Sequence, residues 1–194
     1  MLETILNIDT EIFLFFNGMH NSVFDVIMYW VSKTTPWIPL WLFFIYLIIK
    51  QYGKKGIIVV LALVAVVGLA DYTSVHAFKN VFERLRPCHN PQLIDMVHIV
   101  GNHCGGNYGF VSSHASNMFA IASFMSLAVF SKYPKSYILF FLWASLVGYS
   151  RIYLGVHYPG DVIGGAILGS IIAYVVWKIV YRFMIAERDM STNK

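Results

Sequence analysis

His114, His157 and Asp161 form a set able to handle a phosphoryl group. His157 and Asp161 are four residues apart, a spacing at which a carboxylate can hold one imidazole nitrogen and leave the other free to attack. A second histidine, His114, can then protonate the departing oxygen. Lys79, Arg86 and Arg151 supply the positive charge such a reaction needs, and arginine adds a planar fork matched to phosphate oxygens. Lys79 and Arg86 are seven residues apart, about two helical turns, so both are predicted to point the same way before Pro87 stops the helix. The run Val111-Ser112-Ser113-His114 is predicted to open a helix, where free N–H groups and the helix dipole favour an anion. Ser112 and Ser113 are expected to complete that cradle. The chemistry implied is phosphoryl transfer. No acidic cluster or Walker-type loop accompanies these residues, so neither a metal nor another cofactor is expected.

These groups must be positioned by helices in lipid. Of 194 residues, 58% are hydrophobic and 12% charged, about half the charge of an ordinary soluble domain. Mean hydropathy is +0.63. This composition excludes a disordered chain and a soluble enzyme. The net charge of +4 comes from scattered residues with no basic patch, which argues against a nucleic-acid partner. The expected class is an all-α polytopic membrane bundle in a single unit over 1–194. Apolar segments near Thr35–Lys50, Gly56–Phe78, Ser112–Phe130, Ser136–Tyr149 (opening at Tyr133–Pro134) and Gly160–Tyr181 suit spans. Residues 1–34 read as two interfacial helices beside five spans; the alternatives are that Ser22–Lys50 forms one bent span or a span plus a re-entrant piece, or that there are six spans. The opening MLETILNIDTE lacks the basic region of a secretory signal, so insertion is expected to rely on internal segments.

Basic residues at Lys50, Lys54 and Lys55, at Lys132 and Lys135, and in the tail place those loops in the cytoplasm. The 79–111 and 150–159 connections then face the other side, together with the residues singled out above. This predicts an integral protein of a bacterial inner membrane with its site on the extracytoplasmic face. Gly160, Gly164, Gly165 and Gly169 on the last span, and Ala144 with Gly148, allow close helix approach.

Asp71, inside a span, is expected to pair with a site cation or with His76, or to make a packing hydrogen bond. Glu83 and Arg84 are expected to pair with each other or to face water. Cys88 and Cys104, flanked by His89 and His103, allow a disulfide, free thiols or a metal site; an oxidising extracytoplasmic face favours the disulfide.

The residues resemble the three-part signature of the type 2 phosphatidic acid phosphatase (PAP2) family. Lys-x6-Arg-Pro stands as Lys79-Asn-Val-Phe-Glu-Arg-Leu-Arg86-Pro87, and Pro-Ser-Gly-His as Val111-Ser112-Ser113-His114. Ser-Arg-x5-His-x3-Asp stands as Ser150-Arg151-Ile-Tyr-Leu-Gly-Val-His157-Tyr-Pro-Gly-Asp161. The second block departs at Val111 and Ser113, where the family has proline and glycine. The resemblance implies a metal-independent phosphatase acting through a phosphohistidine. His157 would be the nucleophile, Asp161 its partner and His114 the leaving-group acid; Lys79, Arg86, Ser112, Ser113 and Arg151 would hold the phosphate. The substrate expected is a membrane lipid phosphate or diphosphate, with undecaprenyl diphosphate first and phosphatidylglycerol phosphate, phosphatidic acid and lipid A as alternatives. An anion channel or transporter, or a silent lipid-phosphate binder, is the competing class.

Overall fold

A computed structural model of the chain describes residues 2–102, 104–130 and 136–192. The described residues form helices α1 (Leu2–Gly18), α2 (Ser22–Ser32), α3 (Ile38–Tyr52), α4 (Gly56–Thr73), the short α5 (Asn80–Phe82), α6 (Ser113–Ala128), α7 (Ser136–Tyr153) and α8 (Pro159–Thr192). A π-helical segment, Ser74–Lys79, joins α4 to α5. The expected α7 start at Tyr133–Pro134, the Lys132 and Lys135 loop, and His103 lie outside the described residues.

The main core gathers α3, α4, α6 and α8 around Phe44, Ile48, Val66, Phe124, Met125 and Trp177. Glycines set the closeness of α8 to α6. A Cβ on Gly165 would stand 2.5 Å from the Ser112 carbonyl oxygen, and one on Gly169 would meet the Ser116 carbonyl oxygen and lie 2.9 Å from the Ala120 nitrogen. The opposite side of α8 presents Ile163, Ile167, Ile171 and Ile179 outward, a stripe at helical spacing that suits lipid rather than water. The helical run Thr35–Phe82, which turns at Gly53, and Pro159–Met184 are long and apolar enough to cross a membrane, each holding an 18-residue stretch with mean hydropathy of 2.2 and 1.9 respectively.

The N-terminal helix does more than lie at an interface. Asp9, Phe13 and Asn17 recur every four residues and so share the inward face of α1. Phe13 is fully buried edge-on to the Tyr158 ring, at 5.4 Å between centroids. Asn17 donates to the carbonyls of His98 and Tyr153 at 2.9 and 2.8 Å, and accepts the His98 N–H at 2.8 Å. Helix α2 is capped by Asn21, whose side chain accepts from the N–H groups of Val23 and Phe24. Its Asp25 accepts from Tyr153 Oη at 2.7 Å and faces His98 Nε2 at 3.0 Å.

One expected element differs. The helix bearing Lys79 stops at Phe82, where Glu83 takes the left-handed conformation (φ 48°), so Arg86 is not two turns along the same helix. Residues 84–86 instead run antiparallel to 107–109. Arg86 N–H donates to the Asn107 carbonyl at 3.0 Å, and Gly109 N–H donates to the Arg84 carbonyl at 2.8 Å. This fold-back, not helical periodicity, brings Arg86 round to Lys79. Cys88 and Cys104 are joined as a disulfide across the same loop, with His89 beside them.

Candidate active site

A cavity of about 350 Å³ opens where α4, α6, α7 and the two loops meet. Its walls include Lys79, Arg86, Arg151, Ser113, His114 and His157. Segments far apart in the chain therefore place the expected cations and both histidines around one space.

His157 sits in the loop between α7 and α8 and is 1% exposed. Its Nδ1 lies 3.2 Å from Asp161 Oδ2, and its Nε2 lies 3.1 Å from Arg86 Nη1. A guanidinium can only donate, so Nε2 is the acceptor and the ring proton sits on Nδ1, facing Asp161. This tautomer leaves a lone pair on the nitrogen directed at the cavity. Burial, followed by the charges of Arg86, Arg151 and Lys79, holds the His157 pKa well below the ordinary imidazole value. The ring is neutral near pH 7, as a nucleophile must be.

Asp161 is fully buried in the first turn of α8. Its Oδ2 also accepts the Tyr158 N–H at 3.1 Å, and its Oδ1 accepts from Arg84 Nη1 at 2.9 Å. Arg84 was expected to meet Glu83 or water. Its guanidinium instead bridges Asp161 and Asp9, reaching Asp9 Oδ2 at 2.7 Å and lying 3.9 Å from the centre of the Tyr158 ring. Sequence reasoning gave neither Asp9 nor Arg84 a place at the site. The in-phase polar pair Asp9 and Asn17 on an otherwise apolar helix face was the signal that could have shown α1 to be anchored inward.

Arg86 and Arg151 each leave Nε buried without a partner among the described residues. Arg151 is steadied by a hydrogen bond from Nη1 to Ser32 Oγ. Lys79 donates to Ser113 Oγ at 2.7 Å, Ser113 lies 2.6 Å from Ser74 Oγ, and Ser74 donates to the Asp71 carbonyl at 2.7 Å. With Lys79 and Ser74 committed as donors, the Ser113 hydroxyl gives its proton to Ser74. The serine that replaces the family's glycine thus holds the lysine.

Two expectations need correction. Ser112 does not line the cavity: it is the N-cap of α6, where its Oγ accepts from the Ala115 N–H and its own N–H goes to the Asp161 carbonyl at 2.9 Å. The hydroxyl expected to hold phosphate serves as the acceptor of the helix cap. His76 does not pair with Asp71 or join the site. Its ring stacks on Tyr72 at 4.1 Å, four residues back on the outer face, and its Nδ1 meets the Tyr72 carbonyl. Asp71 does line the cavity, but the hydrogen-bond partner it finds there is Asn117, at 3.5 Å, rather than a cation.

Residues 55–185 match the family model of the PAP2 superfamily. The chain belongs to this family. Similarity extends beyond the matched region. The lipid A 4'-phosphatase of Bacteroides thetaiotaomicron is 35% identical over 185 residues, covering 94% of this chain and 81% of the relative. The undecaprenyl-diphosphatase of Sulfolobus acidocaldarius is 31% identical over 183 residues, covering 91% and 81%. Among solved structures, the transmembrane PAP2-type phosphatidylglycerolphosphate phosphatase of Bacillus subtilis superposes with a TM-score of 0.67 at 25% identity, covering 92% of this chain and 87% of the other. This PAP2 protein is a phosphatase with the all-helical fold of its transmembrane relatives.

Proposed function

We propose that the chain removes a phosphate from a membrane glycolipid of the lipid A type, at the extracytoplasmic face of a bacterial inner membrane it crosses five times. The arrangement of His157 carries the catalytic part of this reading: Nδ1 held by Asp161, and Nε2 held by Arg86 beside a cavity walled by three cations and His114. In the first step Nε2 attacks phosphorus and the bond from phosphorus to the lipid oxygen breaks. That oxygen takes its proton from His114. Asp161 stabilises the positive charge that His157 acquires as the nitrogen–phosphorus bond forms. Water then attacks the phosphohistidine, giving a proton to His114, and inorganic phosphate leaves with His157 restored. Arg86, which holds Nε2 before substrate arrives, turns its fork to the phosphoryl oxygens.

The lipid part of the reading is supported by a second cavity. An apolar groove of about 560 Å³ runs between α3, α4 and α6 past Trp41, Phe44, Val60, Leu63 and Ile121. It shares Thr34, Asn117 and Met118 with the cationic cavity, so a phosphate in one and a hydrocarbon chain in the other fit a single molecule. The greater identity to a lipid A 4'-phosphatase than to an undecaprenyl-diphosphatase, at similar coverage, favours the glycolipid phosphate. On this reading undecaprenyl diphosphate, the first expectation from sequence, comes second. The test is phosphate release in detergent, with EDTA, from lipid A, undecaprenyl diphosphate, phosphatidylglycerol phosphate and phosphatidic acid. Lipid A is expected to give the highest kcat/KM, with turnover abolished in His157→Ala. Preference for another lipid overturns the substrate, and an active His157→Ala overturns the mechanism.

A further inference from the structure

The triad-like pair His157–Asp161 is not free-standing, and part of its support, Asp9, comes from outside the signature and outside residues 55–185. We propose that Asp9 is a positioning residue for catalysis: by dividing Arg84 with Asp161, it keeps one Asp161 oxygen available to His157. This rests on the phosphohistidine reading above.

A guanidinium and a carboxylate left to themselves pair through two parallel hydrogen bonds, using both carboxylate oxygens. Here only Nη1 of Arg84 reaches Asp161, at Oδ1, because Nη2 is committed to Asp9 at 2.7 Å. Oδ2 is thereby left to His157 Nδ1 and the Tyr158 N–H. The charge of Arg84 is divided in the same way between two carboxylates, so it does not pair with Asp161 alone. Asp9 is itself fixed, since its Oδ1 accepts the Gly160 N–H at 2.7 Å, in the first turn of the helix that carries Asp161. A side chain at Gly160 would intrude, because its Cβ would stand 2.7 Å from Asp9 Oδ2. The Tyr158 ring backs the guanidinium, and Phe13, one turn beyond Asp9 on α1, packs on that ring.

Removing the Asp9 charge while keeping its shape, with Asp9→Asn, frees Nη2 of Arg84 to swing onto Asp161 Oδ2 and compete with His157. The expected result is a fall in kcat of about tenfold with KM held within about twofold and the melting temperature little changed. Arg84→Lys, which keeps the charge but puts one ammonium nitrogen where two fork nitrogens now reach separate carboxylates, is expected to do the same. The double variant should be no worse than either single one by more than about twofold, since both break one linkage. Full kcat in Asp9→Asn, multiplying losses in the double variant, or KM and stability falling in step with kcat would each overturn the proposal. If Asp9→Asn does not accumulate as folded protein, Arg84→Lys decides by the same split between kcat and KM. His157→Ala separates the two readings: inactive His157→Ala with a fully active Asp9→Asn refutes this linkage alone, whereas an active His157→Ala refutes the chemistry beneath it.

Discussion

Adding one methyl group at Gly165 tests whether the seam between α6 and α8 sets catalytic geometry. The new Cβ would lie 2.5 Å from the Ser112 carbonyl oxygen and 3.1 Å from both Ala115 Cβ and the Ser116 nitrogen. The oxygen contact falls short of ordinary van der Waals separation by about 0.9 Å. The obstacle is backbone at a capped helix start, so it cannot be relieved by turning a side chain; the helices must part. Ser112 begins the turn that bears Ser113 and His114, while Gly165 lies one turn beyond Asp161 on α8. Parting them moves His114 away from His157 by most of an ångström. A misplacement of about 1 Å costs about 100-fold in rate, and overpacking of this kind costs about 1–3 kcal/mol of stability. Gly165→Ala is therefore expected to lower kcat about 100-fold while leaving a folded protein. The assay is lipid phosphate release with a thermal melt on the same detergent sample. Gly68→Ala is the control, since a Cβ there meets nothing within 4 Å. If Gly165→Ala keeps more than about half of the wild-type kcat, the close helix seam does not hold the site.

Gly68 lines the apolar groove, so Gly68→Phe is expected to fill it: KM for a long-chain lipid phosphate should rise about tenfold, from roughly one lost apolar contact, while a short soluble phosphate ester is unaffected. Equal effects on both substrates would remove the groove from the account. The depressed His157 pKa also has a signed consequence, because below about pH 6.5 the unfolded chain protonates this residue and the folded one does not. Stability must then fall on acidification by about 1.4 kcal/mol per pH unit from this group, and His157→Gln should lack that share of the slope in melts between about pH 6.5 and 5.5. Identical slopes for the two proteins would refute it.

What could be read from sequence was local, and what could not was long-range. The His157–Asp161 pair lies within one turn of chain, and the Ser112 cap announces α6 by residue type, so spacing and capping rules reach both. The use of the cap was misjudged because a serine at a helix start has two competing duties, and the helix took the hydroxyl. Arg86 was placed correctly for an incorrect reason. No periodicity marks the left-handed Glu83, and the antiparallel run with 107–109 depends on chain far ahead. His76 found a partner four residues away on its own helix, which a local rule favours over the distant site. Arg84 was expected beside Glu83 or in water, but its carboxylates are 75 and 77 positions off, at Asp9 and Asp161. No local pattern encodes such a bridge.

The Asp9–Gly160 contact joins positions 151 apart in the chain. During synthesis α1 emerges first, and its anchoring partners at Tyr153, Tyr158 and Gly160 emerge only after six intervening helices. Until α8 arrives, Arg84 has one carboxylate rather than two, and His157 has none. If His157 and Asp161 perform the proposed chemistry, turnover then also reports that α8 has docked.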